Sequence, residues 1–166
     1  MKRQIRRGAF ETNSSSMHAI CITKSNVDYE FPEKLEFKHG EFGWGFEVLT
    51  EPEDKASYLY EAICALHDRN LEHEYINKIF HILGEKGVEA VFPGVHVDED
   101  GWSLGYIDHV GDTREFVEAV MHSEKRLLKY LFGDSYIVVG NDNDDDYDEY
   151  MDNNDFSGYE VYEKGN

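Results

Sequence analysis

The sequence predicts a single α+β domain with a mainly antiparallel sheet, two pairs of helices and an acidic C-terminal segment. Short apolar segments rich in β-forming residues alternate in pairs with stretches of helical periodicity, and the resulting order is ββααββααββ. Strict alternation of single strands and helices, which is typical of doubly wound sheets, is absent. We expect residues 1–140 to form the core of the domain and residues 141–166 to be an acidic segment of the same domain.

Length and composition favour a folded chain. The 166 residues are 40% hydrophobic and 14% aromatic, which is enough for a sizeable core and too aromatic for a disordered acidic polymer. No apolar run approaches the roughly 18 residues of a membrane helix, and no apolar stretch follows the basic start of the chain. We therefore expect a cytoplasmic protein, in which the two cysteines are thiols or metal ligands rather than a disulfide.

Six segments have the composition of strands. Their residues are mostly β-branched or aromatic, and glycine, proline or acidic turns bound them. Two glycines in the second segment suggest a bulge or close packing. The third and fourth segments resemble a hairpin or strand pair, and the sixth has the alternation of an edge strand. The segments are residues 17–23, 42–49, 88–92, 102–107, 135–139 and 159–163.

Helix signals occur in two blocks. Thr50 with Glu53 predicts a capping box for a helix over residues 51–67, and Asn70 is expected to cap a second helix that ends near Gly87.

In the second block, Asp112 with Glu115 predicts another capping box. Ser123 is expected to interrupt and recap the helix, and Gly133 is expected to end it. Each block therefore predicts a pair of helices.

The negative charge is concentrated at the C-terminal end. The net charge is −19, and residues 134–166 contain eleven acidic residues and a single lysine. This surplus repels nucleic acid and anionic membranes and attracts the basic surfaces with which other proteins hold nucleic acid. The sequence predicts a basic nucleic-acid-binding protein as partner. The expected contacts are Asp142, Asp144, Asp145, Asp146, Asp148, Glu149, Asp152 and Asp155.

Within that segment, aspartates alternate from Asp142 to Asp148. In an extended chain they would form a row with a spacing of about 7 Å that resembles a phosphate backbone. Neighbouring aromatic residues favour a binding surface, although they could also attach the segment to its own domain. The alternatives are a solvated acidic loop or weak calcium binding, but Tyr147 stands where an EF-hand loop needs glycine.

Two Cys/His pairs with mirrored spacing suggest a metal site. His18 with Cys21 and Cys64 with His67 form the ligand set of a closed structural zinc site. Cys64 and His67 share a helix face, whereas His18 and Cys21 point to opposite faces of an ideal strand, so His109 is a possible substitute. The alternative is that both cysteines are buried apolar residues and the histidines are unrelated.

The sequence contains few of the residue patterns that are typical of an enzyme. The serine-rich residues 11–16 precede His18, which permits a nucleophile with a base, but turn and cap chemistry is the favoured explanation of such a run. No GxSxG, HExxH or phosphate-binding glycine loop is present. We expect a non-enzymatic protein. The alternative is a small metal-dependent enzyme that uses His18, Cys64 and His109 around an ion with an open position.

Three short stretches resemble a known group. The segment from Arg6 to His18, RRGAFETNSSSMH, resembles the opening of small acidic proteins from phages and mobile elements of Gram-positive bacteria, and residues 105–109 and 140–143 are similar to later segments of that group. The resemblance implies an anti-defence role in the bacterial host. Its specific form would be a type II-A anti-CRISPR that blocks nucleic-acid loading by a Cas9-type effector. A phage interaction protein without metal is the further alternative.

Overall fold

A computed structural model describes residues 16–26, 28–94, 104–108, 113–141 and 145–164. Within these residues, five helices and eight strands form an α+β fold whose largest sheet is antiparallel. The predicted fold class is confirmed. None of the helices in these ranges is both long and apolar enough to cross a membrane.

The strands form one large sheet and two small ones. The large sheet has the order β4-β7-β1-β8 and is antiparallel throughout, whereas β2 pairs with β5, and β3 with β6, in parallel. The strands are β1 (Ser16–Thr23), β2 (Lys34–Glu36), β3 (Glu41–Phe42), β4 (Glu47–Leu49), β5 (Glu89–Val91), β6 (Tyr106–Ile107), β7 (Tyr136–Asn141) and β8 (Tyr159–Lys164). As predicted, β8 lies at the edge.

The helices include both predicted pairs and one that the sequence did not predict. The first two helices contact each other, as do the third and fourth. They are α1 (Pro52–Cys64), α2 (Arg69–Glu85), α3 (Arg114–Met121), α4 (Glu124–Phe132) and the unpredicted α5 (Asp146–Asn153).

The central strand β1 separates two apolar layers, because successive side chains of a strand point to opposite faces. Ile20 and Ile22 face the main core, in which α1, α3 and α4 pack on the sheet. Ala19 and Cys21 face a second apolar cluster that includes Tyr147 of α5. The large sheet is therefore covered by helices on both sides.

Several predicted local features are wrong. The Thr50–Glu53 capping box does not form, since Glu51 is the N-cap of α1 and no side chain caps it. Asp68, rather than Asn70, caps α2 by accepting hydrogen bonds from two backbone N–H groups. Ser123 caps α4 as predicted. The predicted capping residue Asp112 lies outside the described residues.

The predicted hairpin or strand pair is also wrong for the described residues of its two strands. Instead of pairing with each other, β5 pairs with β2 and β6 pairs with β3. The predicted strand over residues 42–49 is two strands separated by a bend at Gly43, whose φ is +104°. A side chain at Gly43 would also meet Ser16 and His18, with 2.9 Å from its Cβ to the Cβ of Ser16. The interruption therefore depends on glycine.

Candidate functional site

The acidic segment is a helix that separates its charges from its aromatic side chains. On α5, Tyr147 is buried, and Tyr150 and Met151 pack against the cluster on the outer face of the sheet. These three positions recur at three- and four-residue steps and therefore share one face. The exposed carboxylates at the same spacing lie on the opposite face; they are Asp145, Asp148, Glu149 and Asp152. We call these four residues the acidic face.

Two local effects favour this helix despite its poor helix formers. Asp146, Asp148 and Glu149 lie in its first turn, where the partial positive charge of the helix terminus stabilises carboxylates. Tyr147 packs so closely on β7 that a Cβ at Gly140 would lie 2.6 Å from the Cβ of Tyr147. Packing against the sheet thus stabilises a helix that the intrinsic propensities of its residues would not.

The helix corrects the predicted extended row of aspartates. Successive carboxylates do not alternate along a strand after residue 145, because α5 begins at Asp146. Asp142 and Asp144 lie outside the described residues. Asp155 follows the helix, and its carboxylate accepts hydrogen bonds from the backbone N–H of Ser157 at 2.8 Å and from the Ser157 hydroxyl at 3.0 Å. These bonds lower the pKa of Asp155 and give it a role in the turn.

Exposed Trp44 and half-buried Tyr106 form an aromatic pair, and Trp44 precedes by two residues a side chain that contacts α5. Phe46 packs on Tyr150, with ring centroids 5.6 Å apart. Two residues earlier, Trp44 is 62% exposed, and its indole N–H donates a hydrogen bond to the Tyr106 hydroxyl at 2.6 Å. Desolvation raises the pKa of Tyr106, and the charges of Glu41 and Asp108 add to this effect. The Trp44–Tyr106 pair therefore lies in negatively charged surroundings.

A buried polar network involves the predicted site residue His18. His18 lies on the α1 side of the sheet, and its Nδ1 is 3.1 Å from the Tyr58 hydroxyl. Its Nε2 lies 3.0 Å from the Ser16 hydroxyl and 3.3 Å from the main-chain carbonyl of Asp108. The Ser16 hydroxyl donates to the same carbonyl. These bonds attach the residue that follows β6 to the central strand.

The network defines which nitrogen carries the proton. A carbonyl only accepts, so Nε2 carries the hydrogen that faces Asp108, and Nδ1 accepts from Tyr58. Burial lowers the pKa of His18 to about 4, because the charged imidazolium would lose its hydration. With its proton on Nε2, His18 does not present a basic nitrogen to Ser16. In this arrangement the pair holds the structure together and lacks the geometry of an activated serine.

A second buried pair lies on the next turn of α1. The Glu61 carboxylate is buried, with 1% of its side chain exposed, and lies 2.9 Å from Nδ1 of His39. It is also 3.4 Å from the backbone N–H of Gly40. A buried carboxylate needs such donors, so this contact holds the loop before β3 on α1. The sequence did not indicate it, since the two residues are 22 positions apart.

The four predicted zinc ligands do not come together. Cys21 faces the second apolar cluster, on the side of the sheet opposite His18. Cys64 is the last residue of α1, and His67 lies in the exposed turn beyond it. Among the described residues, no three His, Cys, Asp or Glu side chains form a group that could hold a metal ion. His109 lies outside those residues, so a zinc site that includes it stays a prediction.

The two cysteines are buried thiols. Burial raises the pKa of Cys21 to about 11 and that of Cys64 to about 12, so both thiols are protonated at neutral pH. A protonated buried thiol is a poor nucleophile. In this environment both cysteines act as small apolar residues of the core.

Comparison with protein-family models, with curated proteins and with solved structures finds no match to this chain.

Proposed function

We propose that this protein is a non-enzymatic binding protein that occupies the nucleic-acid-binding surface of a basic partner. The observation that carries the proposal is the division of α5, in which one face is fixed to the sheet and the opposite face presents Asp145, Asp148, Glu149 and Asp152 to solvent.

Attachment to the sheet makes the acidic face a more effective ligand than a flexible tail. Partner arginines and lysines pair with carboxylates whose positions are already defined, so less conformational entropy is lost on binding. The same basic groups hold phosphates in the partner's own complex. Binding of the two ligands is therefore mutually exclusive, and the complex weakens as salt rises.

The Trp44–Tyr106 pair supplies the apolar part of the interface. Tryptophan and tyrosine are enriched among the residues that dominate binding energy, because they bury a large area when they enter a pocket, and Trp44 is exposed. Trp44 is followed two residues later by Phe46, which packs on α5. Charge then supplies long-range attraction, and the aromatic pair slows dissociation.

A Cas9-type effector is the partner to test first. The support is the resemblance of the segment from Arg6 to His18 to proteins of phages and mobile elements, together with the acidic face, which suits a channel that holds guide RNA and target DNA. In this proposal the protein blocks nucleic-acid loading and so acts as an anti-CRISPR.

The experiment compares two fourfold variants with equal net charge. The first neutralises the acidic face as Asp145→Asn, Asp148→Asn, Glu149→Gln and Asp152→Asn. The control neutralises four exposed acidic residues elsewhere in the chain, namely Asp28→Asn, Glu30→Gln, Glu33→Gln and Glu74→Gln. Binding to guide-free effector is measured by biolayer interferometry at two salt concentrations, and helix content is checked by circular dichroism.

We expect the acidic-face variant to lose affinity at least about tenfold and to show a weaker salt dependence, while the control variant binds like the parent protein. Trp44→Ala should raise the dissociation rate and leave the salt dependence unchanged. Equal binding by both fourfold variants would contradict the role of α5, and absence of any complex with the parent protein would rule out this effector.

A further inference from the structure

A small basic pocket lies on the side of the molecule opposite the acidic face. Its volume is about 150 Å³, and it lies where the end of β1 meets α4 and β8. The α4 helix packs in the main core, on the face of the sheet that α5 does not cover. The lining residues are Ile22, Thr23, Lys24, Lys125, Arg126, Lys129 and Glu160.

The charge of this pocket is opposite to that of the whole chain. The chain has 35 acidic and 16 basic residues, yet four cations and one carboxylate line the pocket. Cations in so acidic a protein would ordinarily be surrounded by carboxylates. Bringing four of them together costs electrostatic free energy that a bound anion would recover.

Internal contacts position these cations and leave charge uncompensated. Arg126 donates to the Ala119 carbonyl at 2.7 Å, to Glu160 at 2.7 Å and to the Tyr162 hydroxyl at 2.9 Å. Because Glu160 is engaged by Arg126, it offsets only one of the four positive charges.

Within the ranges that the structure describes, the side chains of the two lysines nearest the end of β1 bond to neutral carbonyls alone. Lys24 donates to the Ser157 carbonyl at 3.0 Å, and Lys129 donates to the Lys24 carbonyl at 2.9 Å. These contacts hold the ammonium groups in place without neutralising them. Among the described residues, the Lys125 side chain makes no hydrogen bond or ion pair, so its ammonium group is available to a ligand.

We infer that this pocket binds a phosphate-type dianion, either free phosphate or a phosphomonoester group. The volume is below the roughly 300 Å³ at which drug-sized ligands are typically held, so the pocket suits a single tetrahedral oxyanion rather than a whole nucleotide. Ammonium groups give a phosphate charge-assisted hydrogen bonds. This site is independent of the partner surface on α5.

Isothermal titration calorimetry at constant ionic strength tests the inference on the full chain. The titrants are inorganic phosphate, a phosphoserine peptide and its unphosphorylated form, with chloride as the background anion. Lys125→Gln removes the unpaired ammonium. Lys38→Gln makes the same charge change at an exposed lysine outside the pocket, two residues after the end of β2.

We expect saturable phosphate binding, weakened about tenfold by Lys125→Gln and unchanged by Lys38→Gln. Tighter binding of the phosphopeptide identifies a phosphorylated protein as the source of the group, and equal or weaker binding identifies free phosphate. Absence of saturable binding by any phosphate-bearing titrant, or equal affinity of the two variants, would overturn the inference.

Discussion

Protonation of His18 should destabilise the fold in weakly acidic solution. His18 is fully buried, its Nδ1 accepts from Tyr58, and its Nε2 donates towards the Asp108 carbonyl. A proton on Nδ1 would place a charge in the core and remove the acceptor of the Tyr58 hydroxyl. Burial accordingly lowers the pKa of His18 from 6.5 to about 4.

The sign and the size of the effect follow from linkage. Between pH 6.5 and pH 4 the unfolded chain binds a proton at this position and the folded chain does not, so stability falls as the pH falls. The contribution of neutral His18 to the free energy of unfolding is fully present above pH 6.5. It decreases by about 2 kcal/mol by pH 5 and by about 3 kcal/mol by pH 4.

The assay is urea denaturation of the parent protein and of His18→Gln at a series of pH values. The variant has the same carboxylates, so their titration largely cancels when the two free energies of unfolding are subtracted. We expect the free energy of unfolding of the parent protein, relative to that of the variant, to fall by about 2 kcal/mol between pH 7 and pH 5. His81→Gln, at an exposed position of α2, is the control. If the difference in free energy of unfolding between the parent protein and His18→Gln does not change with pH, the assignment of a buried neutral imidazole is refuted.

Two further predictions concern the cysteines and the attachment of α5. Because burial raises the pKa of Cys21 and Cys64 to about 11 and about 12, a thiol reagent at pH 8 should modify neither residue until the protein unfolds; rapid labelling of the native protein would contradict their burial. Gly140→Ala should cost about 2 kcal/mol, since the added methyl group would meet Tyr147. It should also speed proteolytic cleavage in α5, whereas Gly158→Ala, where a Cβ meets nothing within 4 Å, should change neither unfolding nor cleavage.

Periodicity was sufficient to predict the main elements of the fold. The first helix was predicted over residues 51–67 and spans Pro52–Cys64, and the last edge strand was predicted over residues 159–163 and spans Tyr159–Lys164. Apolar residues at helical or alternating spacing signal a buried face directly, because burial is what maintains the spacing. Single caps were less predictable, since Asp68, two residues before Asn70, is also a good capping residue and takes that position.

The candidate site was harder to predict, because its geometry depends on tertiary contacts. The residues of α5 are mostly Asp, Asn and Tyr, which are weak helix formers, so the sequence favoured an extended segment. The helix forms against a sheet whose Gly140 accommodates Tyr147. Likewise, His18 and Cys21 are three residues apart but face opposite sides of β1, which separates them as metal ligands.

The position of β1 at the centre of the large sheet has a consequence for biosynthesis. Its two neighbours come from the other end of the described chain; the Thr23 N–H, for example, bonds to the Ser135 hydroxyl, 112 residues away. The central strand therefore cannot complete its pairing until both β7 and β8 have been translated. Such non-local pairing slows folding, typically to about milliseconds to seconds. Until then its apolar faces are exposed, which raises the risk of aggregation during synthesis.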